Sequence, residues 1–427
     1  MLRSLKPRSE FSRNVLTLMT GTTIAQAIPI AISPILTRIY TPEDFGVFAL
    51  YMALASILSV VATGRYEMAI MLPKKDEDAI NIVVLSIVIS FFVSFISLII
   101  VSVFNSQITN LLGNPEISNW LYFIPVTVLL TGVYQSFNYW SNRKKQYKRL
   151  AISRVTQSGT AATANLGMGF GGFGASGLIL GQILGQSVAA TILGRMVWRE
   201  DRGKVEQIKK LKIFALIKKY LDFPKINMFH AFLNDVKNLI VNVILIRCYS
   251  SFVLGQFYMV NRILLLPSGL VGSSISQVLY KEVSSKYNRK EDFSKDIVNI
   301  IVKLFLFGLI PFFIIVFFGK EIFVFLLGKN WEVAGSFASS FALYVLFHFV
   351  ASPISVVPLV VNKQKQAFYW NLVGNLGYTL SIFIGYYLFK DLSNSLLLLS
   401  GVMVTYFSFY YRWIYKISKN ICHNDNI

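Results

Sequence analysis

The sequence predicts an all-α polytopic membrane protein of twelve transmembrane helices arranged as two related halves, and three observations predict it. Apolar residues make up 54% of the 427-residue chain against 15% charged, with a mean hydropathy of +0.56, so lipid is the expected solvent for most of its surface. Those apolar residues fall in stretches of about 20, the length that crosses a bilayer core. A motif near the N-terminus also recurs about 209 positions downstream, the self-similarity of a duplicated unit.

The motif is Ile35 to Tyr51, ILTRIYTPEDFGVFALY, and its copy is Ile244 to Tyr258, ILIRCYSSFVLGQFY. Arg38, Tyr40, Gly46 and Phe48 are answered at the same spacing by Arg247, Tyr249, Gly255 and Phe257. Three weaker echoes follow in the same order. Asp78 and Asn81 return as Asp296 and Asn299, Leu111-Leu112-Gly113 as Leu326-Leu327-Gly328, and the Asn142 to Gln146 run as Asn362 to Gln366. Their shifts of about 209 to 220 positions are too consistent for chance similarity between apolar segments.

The helices are expected in this order. The first, about 14–37, follows a basic start (Arg3, Lys6, Arg8, Arg13). It is longer than a signal-peptide core and lacks a small-residue cleavage site, so it reads as a retained span kinked at Pro29 and Pro34. The second to sixth cover about 45–64, 79–103, 119–140, 151–170 and 176–198, with Trp120 as an interface anchor. The seventh and eighth, about 224–247 and 252–273, carry Asp235, Lys237 and Arg262 about ten residues inside their ends, and Pro267 interrupts the eighth. The last four cover about 297–318, 334–358, 368–389 and 395–415, with Lys303 and Pro311 in the ninth and His348 in the tenth.

Lysine and arginine crowd the connections on one side and are sparse on the other, which assigns the rich side, and with it both termini, to the cytoplasm. Each half then starts on the same side, so the repeats are parallel, related by a pseudo-two-fold along the membrane normal. The longest basic connection has an amphipathic stretch near Ile208 to Leu221 that suits the membrane interface. The expected organisation is a six-helix bundle over residues 1–200, a cytoplasmic linker over 201–223 and a second six-helix bundle over 224–427.

Leu36, Arg38, Tyr40, Pro42, Asp44, Phe45, Gly46 and Phe48, then Arg65-Tyr66-Glu67 and Leu72-Pro73, resemble the polysaccharide-biosynthesis flippases that move O-antigen or capsule repeat units. The resemblance covers essentially the whole chain. It implies the fold of the multidrug/oligosaccharidyl-lipid/polysaccharide exporter superfamily, two six-helix bundles around a central cavity that opens alternately to either side. It also implies an undecaprenyl-diphosphate-linked oligosaccharide as substrate, the inner membrane of a bacterium as location, and a polysaccharide polymerase and other assembly proteins as partners. The second copy of the motif lacks Pro42-Glu43-Asp44, so their task belongs to one half alone.

The remaining chemistry agrees with transport. The net charge of +20 is scattered between apolar runs and makes no nucleic-acid stripe. Cys248 and Cys422 are lone cysteines, and the three histidines join no metal-ligand spacing, so no cofactor is expected. No phosphate-binding glycine loop is present, which leaves an ion gradient as the energy source. Two rivals stand: a cation-coupled multidrug and toxin exporter, and a multispanning glycosyltransferase or polymerase, the latter expected to carry a large catalytic loop.

A diphosphate and its sugars need cations and polar groups inside a membrane protein, and arginine suits phosphate through its planar fork. The cation candidates are Arg262, Lys237, Arg38, Arg247 and Arg65; the ion-coupling candidates are Asp235, Glu67 and His348. Gln26, Asn234, Asn238 and Asn242 are expected to line the cavity, the asparagines sharing one helical face with Asn227. Each has a plainer alternative: Arg38 and Arg247 as snorkelling anchors or helix caps, Arg65 and Glu67 as a local ion pair, His348 as an interior polar residue, and Asp235 with Arg262 as a closed interhelical pair.

Overall fold

The computed structural model describes residues 10–419, with the backbone alone at 10–16, 205, 226, 227, 230, 234 and 273. Arg3, Lys6, Arg8, Cys422 and His423 therefore lie outside the described residues. The described chain is helical throughout: α1 (Glu10–Ile39), α2 (Pro42–Val61), α3 (Asp76–Leu112), α4 (Ile124–Arg143), α5 (Tyr147–Phe170), α6 (Ala175–Asp201), α7 (Lys210–Lys219), α8 (Met228–Cys248), α9 (Ser251–Leu264), α10 (Leu266–Asn288), α11 (Ser294–Leu327), α12 (Glu332–Ile354), α13 (Gln364–Phe389) and α14 (Leu392–Lys419).

A helix lies on each of the twelve expected segments. Among the described residues, however, nine helices are long and apolar enough to cross a bilayer, or ten if the bent pair Pro115–Leu121 and Ile124–Arg143 is one crossing. Two expected spans, α5 and α8, are not among them. Arg149, Arg154 and Gln157 dilute the apolar pattern of α5, and α8 carries side chains at 230 and 234 that lie outside the described residues. The eighth expected span is longer than foreseen, running from Ser251 to Asn288 across the break before Pro267.

Local chemistry explains the recurring motif. Thr41 opens α2 with a capping box: its hydroxyl accepts from the Asp44 amide at 3.2 Å, and the Asp44 carboxylate accepts from the Thr41 amide at 2.9 Å. Pro42 sits in the first turn, where a missing N–H costs nothing. The equivalent start of α9 is capped by Ser250 alone, which accepts from Val253 at 3.2 Å. The Pro-Glu-Asp present in only one half is thus accounted for as a helix start. The echoes match as well. α3 and α11 each begin near the repeated Asp and Asn and end at the repeated glycine, Gly113 at φ +77° and Gly328 at φ +103°, where a side chain would be strained.

The chain divides into two compact units, Met1–Arg247 and Cys248–Ile427. In the first, α5 packs between α1 and α6 across small residues: a Cβ added at Gly21 would lie 2.4 Å from the Ala151 Cβ, and one at Gly185 2.7 Å from the Gln157 carbonyl. Arg149, 6% exposed at its side chain, closes the end of this seam by pairing with Glu200 and, at 2.9 Å, with Asp201, which also accepts from the Trp140 indole at 3.0 Å. α8 belongs to this unit, and its Asn242 amide donates to the Ala49 carbonyl at 3.2 Å.

The second unit is built around aromatic rings. Tyr344 stacks on Phe341 at 4.6 Å between centroids and meets Tyr378 edge-on at 5.4 Å, and Tyr411 lies parallel to Phe347 at 6.2 Å. The outer faces of both units are equally apolar. Phe91, Phe92 and Val103 on α3, and Phe307, Ile310 and Phe317 on α11, are each at least half exposed, a surface that in water would be an aggregation hazard and in lipid is a fitting coat.

Candidate functional site

The first unit holds a polar pocket of about 500 Å³. α4 supplies Thr131, Tyr134, Gln135, Asn138, Tyr139 and Asn142; α5 supplies Arg154 and Gln157; α6 supplies Gln186. On α4 these residues recur at helical spacing over eleven positions, which makes the polar wall about 16 Å long at about 1.5 Å per residue. Polar groups in a transmembrane helix face protein or water because lipid cannot satisfy them, and here three helices turn theirs to one space.

Its electrostatics are one-signed. Arg154 brings a guanidinium, the amides and hydroxyls are neutral, and none of the described lining residues is acidic. Arg154 is held by a hydrogen bond from Nη1 to Thr22 Oγ1 on α1 at 2.6 Å, while the Thr22 hydroxyl donates to the Leu18 carbonyl at 2.8 Å. Gln157 donates to the Gln186 side chain, and Tyr134 meets Ser153 at 3.4 Å. The side chains are thus placed by bonds across α1, α4, α5 and α6, and the arrangement offers an anion one fork-shaped donor and a set of hydroxyls several amides.

Beside it lies the turn between α2 and α3. Gly64 and Arg65 both take left-handed backbone conformations, φ +58° and +61°, open to glycine but strained for Arg65, whose side chain pairs with Glu67 at 3.7 Å. Glu67 is 5% exposed at its side chain and accepts a hydrogen bond from Thr63. Burial pushes its carboxyl above the usual range, while Thr63 and Arg65 pull it down.

The other residues singled out in the sequence are dispersed. Arg38 donates from Nη1 to the Pro34 carbonyl of its own last turn at 2.5 Å. Arg247 donates from Nε to Leu111 O at 2.9 Å and from Nη2 to Asn110 O, on the carbonyl end of α3. These bonds are of the kind a helix C-terminus seeks from a cation. Gln26 and Asn238 are exposed, and Asp235, Lys237 and Asn242 are half-buried on α8. The Asn227 and Asn234 side chains lie outside the described residues. Arg262, half-buried on α9, and His348, tilted against Tyr344 at 5.6 Å on α12, belong to the second unit. That unit also holds an apolar pocket of about 330 Å³ walled by Pro267, Phe307, Pro311, Phe323 and Phe349.

A family model described as "Polysaccharide biosynthesis protein" matches residues 35–336, well over half of the chain. The chain belongs to this family. Its match begins at Ile35, just ahead of the capped Arg38–Asp44 motif, and takes in the whole polar pocket. No curated protein sequence matches the chain. Among solved structures, an inward-facing multidrug resistance MATE family transporter of the MOP superfamily is similar with a TM-score of 0.74 at 12% identity, covering 95% of this chain and 96% of that one. Lipid II flippase MurJ in an inward closed conformation gives 0.68 at 17% identity, over 96% and 90%. A MOP superfamily transporter from Pyrococcus furiosus gives 0.62 at 12%, over 96% and 95%. This polysaccharide biosynthesis family member therefore has the fold of MOP-superfamily transporters and is a multi-pass membrane protein. The proteins it resembles are transporters and flippases, not enzymes.

Proposed function

We propose that this family member is a flippase that carries an undecaprenyl-diphosphate-linked oligosaccharide, such as an O-antigen or capsule repeat unit, across the bacterial inner membrane by alternating access. The observation that carries the reading is the sign and composition of the pocket. Five carboxamides, two tyrosines and one arginine, with no acidic residue among the described lining, suit sugar hydroxyls and an oxyanion and are ill suited to a cationic drug. The flippase fold and the family membership point the same way.

Glu67 is the coupling group on this reading: a buried carboxyl that shifts between protonated and ionised forms would bias the Gly64–Arg65 turn, with Asp235 as a second candidate. Twelve crossings, both termini cytoplasmic, follow from the charge asymmetry of the connections. Reporter fusions after Ile117, Ser250 and Asp391 test the topology, each expected to report the periplasm.

The substrate reading is tested by binding to the purified protein. A polyprenyl-diphosphate saccharide is expected to bind and to be competed by the free diphosphate lipid, with no competition from ethidium. Binding of ethidium in place of the saccharide would sink the flippase and favour the drug-export rival.

A further inference from the structure

The basic connection between α6 and α8, inside the first unit, does more than join two helices. Its helix α7, Lys210–Lys219, has two apolar faces. The inner one, with Ile213, Leu216 and Ile217, packs into a core shared with Tyr66, Ile70, Ile80 and Trp140. The outer one carries Leu211 at 87% exposure and Phe214 at 66%, with exposed Lys210, Lys218 and Lys219 around them.

Two independent features fix what meets that outer face. The first is depth. Asn81, in the second turn of the membrane-spanning α3, donates to the Gln207 carbonyl at 2.9 Å and accepts from the Lys209 amide at 2.8 Å, and Lys212 pairs with Glu77 at 2.6 Å. The Tyr66 hydroxyl donates to the Ile217 carbonyl at 3.2 Å. α7 is thereby pinned beside the first turns of a membrane-spanning helix, and Trp198 near the end of α6, 64% exposed, is of the residue type that anchors helix ends at the interface. The second is charge. Lys212 is turned to carboxylates, whereas Lys209, Lys210, Lys218 and Lys219 are exposed, Lys219 with its Nζ 5.4 Å over the Tyr220 ring, and outnumber the exposed acids Glu206 and Asp222.

We propose that α7 is a membrane-surface helix that inserts Leu211 and Phe214 among the acyl chains and engages anionic lipid headgroups through Lys210, Lys218 and Lys219. The apolar pair supplies insertion, and the lysines supply selectivity for anionic over zwitterionic lipid. Because Asn81 and Tyr66 bolt α7 to the α2–α3 turn, the lipid surface becomes a mechanical support for the segment bearing Arg65 and Glu67. The inference is independent of what the protein transports.

The test uses the full chain, with Cys248→Ser and Cys422→Ser, carrying an NBD fluorophore at Phe214→Cys, in nanodiscs of phosphatidylcholine with or without phosphatidylglycerol. Spin-labelled lipid is expected to quench the fluorophore, aqueous iodide to leave it bright, and the quenching to rise with phosphatidylglycerol. Combined Lys210→Glu, Lys218→Glu and Lys219→Glu is expected to remove that rise while leaving the thermal midpoint unchanged. Free access of iodide in both lipids would overturn the proposal, as would a label shielded from lipid and iodide alike, which would mean a protein partner or a second copy. Lipid quenching indifferent to phosphatidylglycerol would overturn the anionic selectivity.

Discussion

Arg154→Ala is the substitution that separates a binding pocket from a merely polar interior. In the folded protein Arg154 gives one bond to Thr22, whose own hydroxyl is already spent on the Leu18 carbonyl, so truncation orphans no buried donor on α1. The folding cost is then at most that of one lost charge-assisted hydrogen bond, about 1.5–3 kcal/mol. The binding cost is of the same order and is read separately. A hydrogen bond to a charged group contributes about 1.5–3 kcal/mol, which at about 1.4 kcal/mol per decade is roughly 10- to 150-fold in affinity. Affinity for a polyprenyl-diphosphate saccharide, measured by thermophoresis on purified protein, should therefore fall by that factor while the thermal midpoint shifts by a few degrees. Arg154→Lys keeps the charge without the fork and should fall between. Thr22→Val frees the guanidinium without removing it and should change affinity less than Arg154→Ala. Wild-type affinity in Arg154→Ala, with the midpoint unchanged, would refute the assignment of the pocket to substrate.

Three further outcomes are expected. Arg149→Ala strands Asp201, 11% exposed, beside the Trp140 indole, and should destabilise the protein by about 3–5 kcal/mol in a detergent denaturation series. Gly21→Val drives a branched side chain into Ala151 and should cost about 1–3 kcal/mol, with part of the loss recovered by Ala151→Gly; full stability of the single variant would deny the close α1–α5 seam. Glu67 has a folded pKa raised above its ordinary 4.5 by burial, so the stability of its protonated form is present at low pH and is lost as pH rises from the unfolded toward the folded value. The thermal midpoint should fall across that window in the wild type and stay level in Glu67→Gln, and parallel curves would rule out Glu67 as the titrating group.

Much of the framework was legible because long apolar runs and caps are local signals. The placement of helices on all twelve expected segments and the sharp start of α2 at Thr41 follow from residues adjacent in sequence. The pocket was not legible for the opposite reason. Asn138, Arg154, Gln157 and Gln186 are single polar residues on three helices, and only the packing of α4, α5 and α6 brings them together. One signal was available: α5 is too polar to be stable against lipid, and a polar helix among apolar ones must turn its polar face to something other than lipid. Reading charge by depth favoured Asp235 and Arg262, each about ten residues inside an expected span, over Arg154, which lies in the first turn of the expected fifth span. Arg38 and Arg247 stood out by repetition, and a cation that caps a helix end repeats just as readily as one that grips a ligand.

The bond between Asn81 and the Gln207–Lys209 turn also dictates an order of assembly. The side chain that anchors the linker lies 126 and 128 residues upstream of its partners, so the entry of α3 into the membrane is left without this brace while α4, α5 and α6 are still being synthesised. At about 5–20 residues per second that interval is roughly 6–25 s. During it, the Gly64–Arg65 turn and the acidic start of α3 lack the linker contacts of Tyr66 and Glu77. The first unit therefore reaches its final form only when the linker emerges, and a chain released between α6 and α7 would carry α1 to α6 with their closing brace missing.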